Sequence, residues 1–255
     1  MKNLFNIEGK VALVTGGSRG IGEMIATGYV ENGAKVYITA RKAQACNETA
    51  ERLSKIGTCI SLPFDLGTME GIEGLAAELA KREEKLDILV NNAGAAWGEP
   101  IDQYSEKGWD KVVDINLKGP FFLTQKLLPL LRKAGSAASP ARIINTASIN
   151  GIEPPALETY AYSSSKAGCI MLTRHLAKRL AKEHILVNAI APGPFPSEMM
   201  KATLETLGDF IRAENPLGRI GTPEDAAGVA IFLASRASAY TTGAVIPCDG
   251  GAAEV

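Results

Sequence analysis

Tyr162 and Lys166 are the two residues whose types and spacing most directly suggest chemistry. Residues four apart on a helix share one face, with Cβ atoms roughly 5–6 Å from each other. A phenol ordinarily titrates near ~10, and an ammonium one turn away lowers its pKa toward the range where general acid–base catalysis works. An isolated pair of this spacing is more often a surface tyrosine beside a solvated lysine. Its meaning therefore depends on the rest of the chain.

Composition indicates a soluble, single-domain enzyme whose cysteines are reduced thiols. The chain has 255 residues, 46% hydrophobic and 22% charged, which suits a single α/β domain. A net charge of −1 provides no basic field for nucleic acid or an anionic membrane. The four scattered cysteines predict free cytosolic thiols, with no metal site. Without a signal-like start or an apolar run of ~20 residues, we expect a cytoplasmic protein with no membrane segment.

Short apolar segments alternate with helix-length segments along the chain, a pattern typical of βαβ units. It predicts an α/β fold with a doubly wound, parallel, seven-stranded sheet flanked by helices, in one domain over 1–255. The predicted strands are 11–15, 35–39, 59–63, 86–90, 142–145, 186–190 and 244–246, and the main predicted helices are 21–32, 43–55, 105–131 and 160–182. We expect 193–215, before the helix that Thr222 and Pro223 open, to be mobile.

A glycine-rich loop follows the first strand and opens the first helix. Gly16, Gly20 and Gly22 give it the spacing G-x-x-x-G-x-G, with Gly17 directly after the first. Glycines allow a tight turn and let the backbone approach a pyrophosphate, which the free N–H groups of a helix N-terminus bind. A plain turn explains such a loop equally well in isolation, but its place between strand and helix favours a dinucleotide. The predicted contacts here are Gly16, Ser18, Arg19, Gly20, Ile21 and Gly22.

The end of the second strand predicts which nicotinamide cofactor binds. An acidic residue about 20 positions beyond the glycines would bind the adenosine ribose, whereas an arginine would bind a 2′-phosphate. The chain has Arg41 and Lys42 there, with no carboxylate until Glu48. Arg19 adds a second guanidinium suited to phosphate. Either arginine alone is as well explained as a surface cation, but together they favour NADPH over NADH.

Polar and small residues follow three further strands at their carboxyl ends. Asn91 to Gly94 follow the fourth strand, Ser148 follows the fifth, and Pro192 and Gly193 follow the sixth. Open α/β sheets bind ligands at this edge. Ordinary Asn/Gly turns would be distributed over both edges of the sheet. The accumulation of these residues at one edge therefore predicts a ligand-binding site there.

With Asp65 and Asn116, these motifs resemble the short-chain dehydrogenase/reductase family over essentially the whole chain. The resemblance implies a Rossmann fold and NADP(H)-dependent carbonyl reduction. It implies that Tyr162 protonates the carbonyl oxygen, Ser148 polarises it, and Lys166 binds the nicotinamide ribose, while Asn116 positions a proton-relay water. Further cofactor contacts implied by the resemblance are Asp65 at the adenine amino group, Leu66, Asn92 beside the adenosine, Ala93, Gly94, Tyr162, Lys166, Pro192, Gly193 and Ser197.

Some positions leave alternatives open. Tyr160 precedes Tyr162 by two residues, but Ser164 rather than a lysine lies four positions after it. Ser197 is the candidate for a nicotinamide contact that the family often makes with a threonine. Asn116 is alternatively a helix-kink or capping residue. The two histidines lie outside the motifs, and we interpret them as structural or solvated.

The expected substrate is a ketone with a hydrophobic arm, because the predicted pocket residues are mostly apolar. They are Trp97, Ile149, Asn150, Leu157, Phe195 and Met199. Segments 40–53, 96–98 and 191–197 are similar to the 3-oxoacyl reductase branch associated with rhamnolipid synthesis. That similarity implies NADPH-dependent reduction of a 3-oxoacyl group, including a thioester-linked one, or of a related ketone.

Two other functions stay open at this point. The chain could oxidise a secondary alcohol of the sugar-acid or steroid type, for which NADH preference would argue. It could also be a non-catalytic module that senses NADP(H), although the four predicted catalytic residues argue against that. The resemblance implies a homotetramer, and the two long helices carry more apolar surface than one sheet face covers, with small residues at Ala161, Ala167 and Gly168.

Overall fold

The computed structural model describes residues 2–253. Within them, the strands are β1 Val11–Thr15, β2 Lys35–Thr39, β3 Cys59–Ser61, β4 Ile88–Asn91, β5 Ala141–Thr146, β6 Ile185–Pro192 and β7 Val245–Cys248. The helices are α1 Gly20–Glu31, α2 Ala43–Leu53, α3 Met69–Arg82, α4 Glu106–Val113, α5 Gly119–Ala134, α6 Tyr160–Leu180, α7 Lys201–Glu214 and α8 Pro223–Ala234. The strands form one parallel sheet in the order β3-β2-β1-β4-β5-β6-β7. The predicted doubly wound fold is confirmed.

Helices cover both faces of the sheet, which is why its strands are apolar on both sides. Alternate strand residues such as Val14 and Val90 pack under α1, α2 and α8. Their neighbours, Leu13 and Leu89, face the other way and pack under α3, α5 and α6. Burial of each such side chain contributes roughly 1.5–3 kcal/mol. Because all strands are parallel, their carboxyl ends meet at one edge, with the order reversing between β1 and β4.

The structure departs from the predicted helices at three places. The predicted helix 105–131 is interrupted by a π-helical turn, Asp114–Lys118, between α4 and α5. Helix α3 is not predicted by the sequence pattern, although Thr68 caps it by accepting the Gly71 N–H at 3.1 Å. Helix α7 occupies most of segment 193–215, whose mobility stays a prediction.

Part of the apolar surface expected between subunits is used within the chain. Val112 and Leu127 are completely buried in the fold, and so is Ala161. A Cβ at Gly168 would lie 3.0 Å from the Leu117 side chain of the same chain. Ala161 and Gly168 therefore contribute to internal packing, and the predicted docking of α6 between subunits stays a prediction.

Within residues 2–253, no helix combines the length and the apolarity needed to cross a bilayer. In the same range, no cluster of three or more histidine, cysteine or acidic side chains is placed to hold a metal ion. All four cysteines are free thiols. Burial raises the pKa of the Cys59 thiol to about 12, which makes it unreactive.

Candidate active site

Tyr162 and Lys166 lie one turn apart near the start of α6. Lys166 is only 4% exposed, and its Nζ donates a hydrogen bond of 2.6 Å to the carbonyl oxygen of Thr146, the last residue of β5. The same nitrogen lies 5.7 Å from the centroid of the Tyr162 ring. A buried ammonium is costly unless hydrogen-bonded. The end of β5 therefore holds this charge beside the phenol, as the spacing of the two residues predicted.

Ser148 follows β5 and lies in the turn that packs on α6. It is 6% exposed, and its Oγ accepts the Asn150 N–H at 3.1 Å. A Cβ at Gly151 would lie 2.6 Å from the Lys166 carbonyl carbon, so the turn and α6 are in close contact. Since a hydroxyl both accepts and donates, the Ser148 O–H is still available to a substrate oxygen. Ile149 and Asn150, predicted to line the pocket, are half-buried in this turn.

Asn116 lies in the π-helical turn and bridges the loop after β4 to α6. Its Oδ1 accepts the Ala95 N–H at 2.9 Å, and its Nδ2 donates to the Ala95 carbonyl at 3.0 Å and to Ser165 Oγ at 3.0 Å. A Cβ at Gly94 would lie 3.1 Å from Asn116 Oδ1 and 3.8 Å from Lys166 Nζ. The structure thus brings Asn116 together with the other predicted catalytic residues. Its water-positioning role stays a prediction.

The glycine-rich loop closes against the end of β4 through polar contacts. Gly16 and Gly20 have positive φ angles of 66° and 57°, which favour glycine. A Cβ at Gly22 would lie 2.3 Å from the Gly16 carbonyl oxygen and 2.4 Å from Asn92 Nδ2. Asn92 Nδ2 donates to the Thr15 carbonyl at 2.9 Å. The Asn92 amide therefore shapes the loop, and its predicted contact with adenosine remains to be tested.

The loop and its surroundings fit a phosphorylated dinucleotide. Helix α1 starts at Gly20, at the end of the loop, and no side chain caps it, so its first N–H groups are available to an anion. Arg19 and Lys42 are exposed. The Arg41 side chain is 68% exposed and lies 4.0 Å from the Asp65 carboxylate. Such a surface pair is worth at most about 1 kcal/mol, so Arg41 can turn toward a phosphate at little cost.

Residues after β6 contact this loop from the other side. A Cβ at Gly20 would lie 3.1 Å from Ser197 Cβ. Gly193 donates its N–H to the Cys248 carbonyl at 3.0 Å, which ties it to β7. The predicted cofactor contacts Ser197, Gly193 and Pro192 therefore lie at the sheet edge that carries the glycine-rich loop.

The predicted substrate-pocket residues divide into two groups. Leu157 and Met199 are 59% and 48% exposed, and Trp97 is half-buried against Gly108. Phe195 is 3% exposed, and a Cβ at Gly221 would lie 2.3 Å from its ring. Phe195 is therefore an interior packing residue, a correction to its predicted place in the pocket. Its sequence position between Pro194 and Pro196 gave no indication of this burial.

Several residues that organise the site were missed from the sequence. The Thr146 carbonyl binds Lys166, and a backbone acceptor leaves no trace in a sequence. Thr15 Oγ1 accepts the N–H groups of Asn92 and Ala93 at 2.8 and 2.9 Å. The position of Thr15 at the end of β1 was the available signal. The first contact ties α6 to the end of β5, and the second ties the end of β1 to the residues that follow β4.

A glycine cradle, a Tyr-x-x-x-Lys pair and a buried serine at one edge of a Rossmann sheet define an NADP(H)-type oxidoreductase, and the chain belongs to the short-chain dehydrogenase/reductase family. A family model described as "Enoyl-(Acyl carrier protein) reductase" matches residues 16–253. The family predicted from the motifs is confirmed.

Within this family, the chain is similar to the following proteins. The chain is 50% identical to a rhamnolipids biosynthesis 3-oxoacyl-[acyl-carrier-protein] reductase of Pseudomonas aeruginosa, over 98% of this chain and 99% of the relative. It is 38% identical to a 2-dehydro-3-deoxy-D-gluconate 5-dehydrogenase of Dickeya dadantii, over 98% of this chain and 97% of that one. A solved structure, the Pseudomonas aeruginosa RhlG/NADP active-site complex, superimposes with a TM-score of 0.95 at 49% identity, covering 99% of both chains.

Proposed function

We propose that this protein is an NADPH-dependent reductase that converts a 3-oxoacyl group, or a related hydrophobic ketone, to the secondary alcohol. The observation that carries the proposal is the buried Lys166 ammonium, held by Thr146 beside Tyr162 at the cofactor edge of the sheet. Half the sequence is shared with a relative named as a 3-oxoacyl-[acyl-carrier-protein] reductase, which supports this choice of substrate class.

The protein's own residues would handle the proton and the substrate oxygen. Bound NADPH supplies the hydride. The Tyr162 hydroxyl donates its proton to the carbonyl oxygen, and the Ser148 hydroxyl donates a hydrogen bond to the same oxygen. The Lys166 ammonium stabilises the phenolate that forms and binds the ribose hydroxyls. Asn116 holds the loop after β4 against α6 through its bonds to Ala95 and Ser165, and it would position the water that relays a proton from solvent to Lys166.

Cofactor binding follows from the loop and the basic side chains. The N-terminal N–H groups of α1 bind the pyrophosphate, with Gly16 and Gly22 allowing its approach. Arg19, Arg41 and Lys42 bind the 2′-phosphate, which distinguishes NADPH from NADH. Asp65 accepts a hydrogen bond from the adenine amino group. The remaining cofactor contacts are those predicted from the sequence, namely Ser18, Ile21, Leu66, Ala93, Gly94, Pro192, Gly193 and Ser197.

We infer that α7 and its flanking residues, 193–215, form a lid over an apolar substrate. Met199 is 48% exposed on this segment, and Leu157 is 59% exposed in the loop before α6. Exposed apolar side chains beside a polar catalytic set suit an acyl arm better than a polyhydroxylated one. The Dickeya relative, whose name specifies a sugar acid, provides the competing substrate class for the test.

The test is NADPH consumption with a panel of 3-oxoacyl thioesters, β-ketoesters, cyclic ketones and keto sugar acids. We expect the 3-oxoacyl compounds to have the highest kcat/KM, and Tyr162→Phe to lower kcat by 10²-fold or more, the scale of general acid catalysis. Faster turnover of a keto sugar acid would contradict the substrate class. Near-normal activity of Tyr162→Phe would contradict the assignment of the acid.

We infer that the enzyme is a cytoplasmic homotetramer. Trp109, Phe121 and Met171 on α4, α5 and α6 are 41%, 37% and 61% exposed, and large exposed apolar side chains grouped on neighbouring helices support a subunit interface. The four free thiols support a reducing compartment. Size-exclusion chromatography with light scattering would give a tetramer, and a monomer at micromolar concentration would contradict the assembly.

A further inference from the structure

Glu158 and Tyr160 lie just before the catalytic tyrosine and have no role in the proton transfer. The Tyr160 hydroxyl donates a hydrogen bond of 2.9 Å to Glu158 Oε2. The same oxygen accepts the backbone N–H of Ile101 at 2.8 Å. One carboxylate oxygen thus joins the first residue of α6 to the loop between β4 and α4. We call these contacts the Glu158 clamp.

The loop segment that the clamp holds, 97–104, has few other attachments to α6. The Glu99 N–H donates to the Glu158 carbonyl at 3.3 Å. The rings of Tyr104 and Tyr160 meet edge to face, with centroids 5.5 Å apart. The Tyr104 hydroxyl in turn donates to the Trp97 carbonyl at 3.0 Å. A continuous path of contacts therefore connects Trp97, on the predicted substrate side, to the first turn of α6.

Charge explains why a carboxylate suits this position. A carboxylate oxygen accepts two hydrogen bonds at once, and bonds to an ionised acceptor are stronger than neutral ones. The bond to Glu158 also raises the pKa of Tyr160. Tyr160 therefore stays protonated as a donor, in contrast to the role assigned to Tyr162 two residues later.

We propose that Glu158 is a positioning residue that ties segment 97–104 to the first turn of α6 and so sets the spacing between Trp97 and the Tyr162 hydroxyl. The proposal rests on the proposed ketone reduction, in which Tyr162 is the acid. Glu158 touches neither substrate nor cofactor in this scheme. Its loss should impair use of the ketone while leaving NADPH binding intact.

Steady-state kinetics of three variants tests this directly. In Glu158→Ala, kcat/KM for a β-ketoester should fall about tenfold, with KM for NADPH within about twofold of wild type. Glu158→Gln should stay within about threefold of wild type, because its amide oxygen accepts both hydrogen bonds. Tyr160→Phe, which removes one arm of the clamp, should lie between them. Glu51→Ala, an exposed carboxylate on α2, is the matched control and should equal wild type.

A second readout does not depend on turnover. The two tryptophans of the chain, Trp97 and Trp109, lie in the clamped segment and on the adjoining α4. Acrylamide quenching of their fluorescence should rise about twofold in Glu158→Ala and stay unchanged in Glu158→Gln, because a released segment exposes Trp97.

The outcomes separate the two proposals. Unchanged kinetics and unchanged quenching in Glu158→Ala would overturn the clamp, as would a parallel rise in KM for NADPH, which indicates general damage. A wild-type protein that reduces no ketone would overturn the proposed function. Increased quenching in Glu158→Ala would then still support the clamp as a segment anchor, while its positioning role in the reaction would be refuted.

Discussion

Gly22→Ala is the substitution that most sharply tests the cofactor cradle. The added Cβ would lie 2.3 Å from the Gly16 carbonyl oxygen and 2.4 Å from Asn92 Nδ2, where an ordinary contact needs 3.4 Å or more. Relief requires the Gly16 carbonyl, the Asn92 amide or both to move by about 1 Å. Neither moves freely, since the Gly16 N–H donates to the Thr39 carbonyl at 2.8 Å and the Asn92 amide donates to the Thr15 carbonyl.

The free-energy cost of Gly22→Ala follows from these contacts. Overpacking in a closed site costs about 1–3 kcal/mol, and loss of the hydrogen bond from Asn92 to Thr15 adds about 1 kcal/mol. The displaced carbonyl lies in the loop that would bind the pyrophosphate. If about 1.4 kcal/mol of this cost appears in cofactor binding, Kd for NADPH rises tenfold. Turnover at saturating NADPH should change far less, because Tyr162 and Lys166 lie outside the loop.

Fluorescence titration of NADPH and urea unfolding measure the two effects separately. Gly228→Ala is the matched control, because no atom lies within 4 Å of its added Cβ and the residue lies inside α8. Alanine there should stabilise the helix by about 0.5–1 kcal/mol and leave Kd unchanged. A folded Gly22→Ala protein that binds NADPH within twofold of wild type would refute the assigned cradle.

Three further predictions concern specificity, packing and pH. Arg41→Ala should raise KM for NADPH about tenfold and leave KM for NADH unchanged, and equal losses for both cofactors in the kinetic assay would contradict a 2′-phosphate contact. Phe195→Ala should destabilise the fold by about 3–5 kcal/mol in urea unfolding, because the ring is buried, and a loss below 1 kcal/mol would contradict its interior placement. The Arg219 guanidinium and the Thr222 N–H lower the pKa of Asp225 to about 2 from 3.8. Since the folded-state pKa is depressed, the stabilisation of the fold by this carboxylate is present above about pH 4 and is lost as pH falls toward 2. Asp225→Asn should therefore lower the free energy of unfolding by at most about 2 kcal/mol near neutral pH and by almost nothing at pH 2. If unfolding curves at both pH values gave the same loss of stability, the ion pair would be excluded as its cause.

The sequence by itself predicted the strands, the ligand-binding edge of the sheet and the pairing of Tyr162 with Lys166. Buried strands are short apolar runs, and the sequence places β1 and β2 at the residues where the structure has them. Parallel strands bring their carboxyl ends to one edge, so the clustering of the glycine loop, Ser148 and Gly193 followed from order along the chain. The 3.6-residue helical period likewise placed Tyr162 and Lys166 on one face. The strand positions and the Tyr162–Lys166 pairing depend on neighbours within a few positions, and the clustering depends only on the parallel order of the strands.

The tertiary structure decided what depends on contacts between distant segments. The π-helical turn at Asn116 accompanies its bonds to Ala95 and Ser165, and the local sequence of an apolar helix gives no sign of them. Phe195 is buried because Gly221 leaves room for its ring. Lys166 is held by a backbone carbonyl at the end of another strand. Tertiary packing determines which side chains far apart in the chain come into contact. A periodic sequence pattern contains no information about those contacts.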